Sequence, residues 1–86
     1  MNITDLILIV KKKINENISV EAIDIEDKTF LHKNHKQNNE KKFHIKLIIK
    51  SSELKKMQKI QSTRKIYSIL KKELAQYIHS IQILIN

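Results

Sequence analysis

The sequence predicts an α+β fold: a three-stranded mixed sheet with helices packed on one face, in the order α-β-β-α-α-β. Three observations carry this. Residues 42–50 alternate, with Phe43, Ile45, Leu47 and Ile49 on one side and His44, Lys46 and Lys50 on the other. Residues 3–17 and 52–77 place apolar side chains at helical spacing. The stretch between the second and third strands is long enough for a helical crossover, which favours a parallel pairing and a right-handed path.

The first helix, 3–17, would bury Ile3, Leu6, Ile7, Val10 and Ile14. Thr4 is its expected N-cap, with Asp5 favourable in the first turn. Lys11, Lys12 and Lys13 come late, where cations suit the helix dipole. The first strand is expected over 19–26, from Val20 through Ile23 and Ile25. Between Asp27 and Lys41 lies a polar, basic stretch with His32 and His35, expected to be a long mobile hairpin loop.

After the second strand, Ser51 or Ser52 would cap a helical region. Leu54, Met57 and Ile60 mark one short apolar segment; Ile66, Ile69, Leu70, Leu74, Tyr77 and Ile78 mark a stronger one. Residues 61–65 contain no apolar side chain, so a bend or a division into two helices is expected there. The closing strand is 80–85, with Ile81, Ile83 and Ile85 on one face. No repeat or second domain is visible, and residues 1–86 read as a single domain.

Composition narrows the chemistry. The chain has 86 residues and no Cys, Gly or Pro. Without Cys there is no disulfide scaffold, no thiol nucleophile and no cysteine-ligated zinc. Without Gly there is no P-loop, no dinucleotide fingerprint and no GxxG clamp. The longest apolar run, Leu6 to Val10, is too short for a membrane span. A net charge of +8 favours phosphates, acidic lipid surfaces or acidic proteins. All but one of the 17 basic residues are Lys, and Ile and Asn are abundant too, a combination that coding bias alone also produces. No signal peptide is expected, because Asp5 precedes the lysines that follow the apolar run. The expected location is cytoplasmic, or mitochondrial or otherwise organellar if a transit peptide was removed.

The topology permits one deduction about function. The first strand runs up to the segment holding His32 and His35, and the second runs down from it. A third strand parallel to the second would also begin at that edge. His79, at its start, would then share the edge with two histidines more than forty residues away in sequence. His44, on the polar side of its strand, reads as ordinary surface.

The same residues resemble a known family, the BolA-like proteins. Asp27-Lys28-Thr29-Phe30-Leu31-His32-Lys33-Asn34-His35 is similar to its loop motif D-x-[ST]-x-x-H-x-G-H, with Asn34 in the Gly place. Lys42-Phe43-His44-Ile45-Lys46-Leu47 resembles H-F-x-V-x-[IV], with Lys42 in place of the His. Ser52 to Tyr67 resembles S-x-x-F-x-G…R-H-R-x-[VI]-Y through Leu54, Arg64, Ile66 and Tyr67, although Lys56 replaces the Gly and R-H-R reads Ser62-Thr63-Arg64. Ser68 to Leu74 resembles x-x-L-x-x-E-L, and Ile78-His79-Ser80-Ile81 resembles [IV]-H-A-L.

That resemblance implies a fold shared with the type II KH domain and a non-enzymatic adaptor role. The family pairs with monothiol glutaredoxins around a bridged [2Fe–2S] cluster. The partner and its glutathione bring thiolates, and the BolA-like protein brings imidazole. The implied ligands are His32 and His79, with His35 in reserve. A chain without Cys cannot hold such a cluster alone, but neutral His can replace thiolate on one iron. The isolated protein is accordingly expected to be a monomer with no bound cofactor. Such ligation would be labile to acid, since protonated His cannot ligate.

The alternative is a nucleic-acid-binding transcriptional regulator. A bend between 52–64 and 65–78 would resemble a helix-turn-helix, with Lys55, Lys56, Lys59, Arg64 and Lys65 on phosphates, joined by Lys71 and Lys72. Arg64, the one arginine, suits a bidentate contact. Two Phe and two Tyr leave little for base stacking. His32-x-x-His35 as a zinc pair would need distant further ligands. No spacing marks a nucleophile or an acid/base pair. Lys11–Lys13 do not share one helix face, so a membrane-surface helix is not indicated.

Overall fold

Helix α1 spans Ile3–Asn17 and buries Leu6, Val10 and Ile14, the stripe that the spacing marks out. In the computed structural model, which describes residues 1–29 and 42–86, Asn2 rather than Thr4 is the N-cap. Its side-chain oxygen accepts from the Asp5 N–H at 2.8 Å. A helix beginning at Ile3 puts its cap one residue earlier, and Thr4 falls inside the first turn. The last turn carries no basic residue, so Lys11–Lys13 lie too early to serve the dipole. Lys13 instead crosses to Glu73 Oε2 at 2.6 Å.

Strand β1 (Ala22–Asp27) pairs antiparallel with β2 (Phe43–Lys50), from Ala22 opposite Lys50 to Asp27 opposite Ile45. It starts later than the sequence suggests because the Ser19 backbone bonds away from the sheet. The Ser19 N–H donates to Glu53 Oε1 at 3.0 Å, and the Ser19 carbonyl accepts from Ser51 Oγ at 2.7 Å. Strand β3 (Ile78–Ile85) runs parallel to β2, giving the sheet order β1-β2-β3.

The crossover is helical. Ser51, fully buried, caps α2 (Ser52–Lys55) by accepting from the Leu54 N–H at 3.2 Å. Helices α3 (Lys59–Ile69) and α4 (Lys71–Gln76) follow. The expected division at 61–65 is absent: those residues sit inside α3, and the break lies at 56–58. Ser62 explains this. It occupies a buried helical position and donates its hydroxyl to the Lys59 carbonyl at 3.0 Å, so a small polar residue replaces an apolar one. The proposed 52–64 and 65–78 helix pair therefore does not form. The break also separates Ile60 from Leu54 and Met57, the other markers of that apolar segment, and leaves it 65% exposed. Between α3 and α4, helical hydrogen bonds continue through Leu70, from its N–H to Ile66 and from Leu74 N–H to its carbonyl. The two form one arm, and the α-β-β-α-α-β order holds.

Leu6, Val10, Ile14, Ile25, Ile45, Leu47, Ile49, Leu54, Ile66, Leu70 and Ile78 make one apolar cluster between helices and sheet. The other sheet face carries Lys46, Ile48, Gln82 and Leu84. Of the two outer strands, β1 holds Asp24, Glu26 and Asp27, whereas β3 holds no charged side chain. Among the described residues, no helix is long and apolar enough to cross a membrane.

Candidate functional site

The parallel pairing of β2 and β3 decides where His79 goes. Phe43, the first residue of β2, stands opposite Ile78, the first of β3, so both strands begin at one edge of the sheet. β1 ends at that edge too, with Asp27 opposite Ile45. His79 thus lies where the chain leaves for residues 30–41, as the topology argument anticipated. His32 and His35 fall within 30–41 and lie outside the described residues.

The start of β3 carries an irregularity that the apolar pattern hides. Phe43 pairs with Ile78, but His44 pairs with Ser80, so β3 has one extra residue, His79. Such a bulge re-aims a side chain. By strict alternation His79 would share the helix-covered face with Ile81; instead its ring meets His44. The Nδ1 of His79 lies 3.2 Å from the Nε2 of His44, with ring centroids 4.8 Å apart and planes at 60°. His79 is exposed. The sequence pattern alone starts the strand at residue 80; the structure starts it at Ile78 and takes His79 in.

His44 corrects the sequence reading. Expected on the surface, it is 8% exposed. Its strand is central, so flanking chains cover it on both sides even on the face without helices. Its Nδ1 lies 2.6 Å from Ser80 Oγ. Its backbone N–H donates to Thr29 Oγ1 at 3.2 Å, and its carbonyl accepts from the Lys28 N–H at 2.7 Å. The signal for His44 was available: a parallel third strand makes the second strand central and sets His44 beside the polar pair His79 and Ser80.

Asp27 and Thr29 supply the frame. Asp27 Oδ1 accepts from the Thr29 N–H at 2.9 Å and from the Thr29 hydroxyl at 2.5 Å, an aspartate turn that ends β1. This gives the D-x-[ST] spacing a physical reason: the carboxylate fixes the hydroxyl that receives the His44 N–H. Lys42, immediately before β2, donates to the Ala75 carbonyl at 3.1 Å in the last turn of α4.

A neutral imidazole has one N–H and one lone pair. With Nδ1 of His79 spoken for by His44, Nε2 is the nitrogen left to coordinate a metal ion. Among the described residues no three His, Asp or Glu side chains cluster for metal binding. A single exposed imidazole can ligate a metal only where other donors complete the coordination sphere.

The basic set lies elsewhere, along the α2–α3 region. Lys55, Lys56, Lys59 and Arg64 are exposed. Lys65 is engaged, 2.8 Å from Glu53 Oε2. That bond, followed by the Ser19 N–H, holds the Glu53 carboxyl below its ordinary pKa. Bonds from the Ser52 hydroxyl and N–H do the same for Glu21, and Lys28 does so for Glu26. Among the described residues no carboxylate pairs with Arg64, which shares an open face of α3 with Lys59, Ile60, Thr63 and Tyr67.

A family model for BolA-like proteins matches residues 14–86. Among solved structures, the BolA domain of SufE1 from Arabidopsis thaliana superposes with a TM-score of 0.77 at 22% identity, over 92% of this chain and 87% of that one. BolA1 from Arabidopsis thaliana gives 0.76 at 20%, again over 92% and 87%. The solution structure of BolA1 from Mus musculus gives 0.71 at 21%, over 90% of this chain and 60% of that one. These likenesses concern the fold. No curated protein sequence matches the chain.

Proposed function

This chain belongs to the BolA-like protein family, and from that membership we propose that it is a non-enzymatic adaptor that pairs with a monothiol glutaredoxin and supplies imidazole to a shared [2Fe–2S] cluster. The observation that carries the proposal is the setting of His79. It is exposed at the edge where three strand ends meet, with Nδ1 occupied and Nε2 left for a ligand bond. That donor set fits the group, because a chain with no Cys offers imidazole and a thiol-bearing partner offers thiolate. When bound, the cluster supplies a labile iron–sulfur unit that can pass between proteins. His79 serves as one ligand, His32 as the second and His35 as the reserve. Asp27, Thr29 and His44 hold the ends of β1, β2 and β3 in register around that edge.

The test mixes the protein with a monothiol glutaredoxin, iron, sulfide and glutathione. The visible circular dichroism of the glutaredoxin-bound cluster should change on addition of the wild-type chain, and His79→Ala should remove that change. An identical spectrum with and without this protein overturns the reading.

A second reading, nucleic-acid binding, draws on Lys59 and Arg64 beside Ile60 and Tyr67, the latter 44% exposed on the same face of α3. A sequence-preferring duplex affinity at physiological salt would support it.

A further inference from the structure

His44 carries the one buried imidazole among the described residues, and the adaptor role proposed above uses its backbone but gives its ring no task. Its position in the central strand fixes the ring, and both ring nitrogens have polar partners: Ser80 Oγ at Nδ1 and His79 at Nε2. A histidine that ligates metal through Nε2 must keep its proton on Nδ1, and that N–H needs an acceptor. His44 Nε2, 3.2 Å away, is such an acceptor. Accepting there leaves the His44 proton on its own Nδ1, where Ser80 Oγ at 2.6 Å receives it. The exposed Ser80 hydroxyl then turns its hydrogen to solvent. The arrangement closes without an unsatisfied group and without a net change in protons.

We infer that His44 is a positioning residue for His79: it takes the Nδ1–H of His79, passes its own Nδ1–H to Ser80, and so presents the Nε2 lone pair of His79 to a metal. The inference rests on the adaptor reading for its purpose but not for its geometry. The bulge brings the pair together. Without the extra residue in β3, His79 would sit on the opposite face of the sheet and His44 would have no imidazole beside it. In general, an exposed imidazole with no such acceptor is free to rotate about χ2 and to keep its proton on Nε2, the nitrogen a metal would use.

Two variants separate positioning from packing. His44→Leu removes the acceptor, while His44→Gln keeps an amide oxygen that reaches the same place. In the isolated protein, at a pH where both rings are neutral, long-range ¹H–¹⁵N spectra report which nitrogen of His79 carries the proton. His44→Leu should move the His79 ring toward the Nε2–H form, and His44→Gln should restore the wild-type shifts. With a monothiol glutaredoxin and the cluster present, His44→Leu should weaken the complex by about tenfold or more, the usual cost of losing a group that orients a ligand, with His44→Gln intermediate. Unchanged His79 nitrogen shifts in His44→Leu overturn the inference, and they do so even if the wild-type chain joins the cluster. Changed shifts in the isolated protein, with no effect of the wild-type chain on the cluster, would keep the tautomer control and remove the adaptor reading instead.

Discussion

His44 Nε2 and His79 Nδ1 lie 3.2 Å apart although the residues are 35 positions apart in the chain. The contact exists because β2 and β3 are parallel neighbours that start together, and because one residue is inserted in β3 at that start.

The partner on the far side of His44 is testable by itself. Ser80→Ala leaves His44 Nδ1 without its 2.6 Å contact on a mostly buried ring. The expected loss is about 1 kcal/mol of stability in urea unfolding. The His44 nitrogen shifts should move more than those of His79. Unaltered His44 shifts would show that the hydroxyl does not engage the ring.

Thr29→Val keeps the shape of the side chain but removes the hydroxyl that binds both Asp27 and the His44 N–H. Amide exchange at His44 should accelerate, while Leu47 and Ile49 further along the strand remain protected. Equal protection at His44 in both proteins would deny the D-x-[ST] turn its place in the frame.

Glu73 is the one carboxylate on the described helices that is buried, its side chain 4% exposed and held by Lys13 at 2.6 Å. Lys13→Met strands that charge and should cost on the order of 3 kcal/mol in urea unfolding, the lower end for a broken buried pair because the lysine is about one third open to water. Replacing both, Lys13→Met with Glu73→Leu, should recover most of the loss. A double variant as unstable as the single one contradicts the pairing.

Acid should weaken the α2 region. Glu53 has its folded pKa lowered beneath 4.5, chiefly by Lys65 and then by the Ser19 N–H. Its contribution is therefore complete above pH 4.5 and is lost as the pH falls through the folded value. Thermal melts of the wild type should drop below pH 4.5, and Glu53→Gln should flatten part of that drop while lowering the plateau above it. Glu21 and Glu26 act in the same direction. A drop of equal size in both proteins would place the acid sensitivity elsewhere.

Lys59→Ala and Arg64→Ala should leave the glutaredoxin-bound cluster spectrum unchanged, since both residues lie on α3, away from the strand ends that carry His79. Each should reduce the salt dependence of nonspecific duplex binding by somewhat less than one unit of slope. A cluster spectrum altered by either variant would relocate the partner surface to α3.

The features legible in the sequence were those with strong periodicity. The α1 stripe of Leu6, Val10 and Ile14, the alternation of β2 and the parallel return of β3 all follow from the spacing of apolar side chains. What escaped the pattern was decided by single hydrogen bonds. Ser62 fills a core position because its hydroxyl bonds back to Lys59, so five polar residues concealed the middle of a helix. Ser19 and Val20 look like strand but lie outside β1, because the Ser19 backbone is engaged by Glu53 and Ser51. His44 looked like surface because alternation describes faces and does not register that a central strand is covered by its neighbours.

The two rims of the sheet are guarded unequally. A strand approaching β1 meets Asp24, Glu26 and Asp27, whose like charges repel an identical copy. One approaching β3 meets eight residues without a charge or a proline, five of them Ile or Leu. At high concentration, backbone pairing between molecules should begin along Ile78–Ile85, and a single lysine at Leu84 should be enough to discourage it.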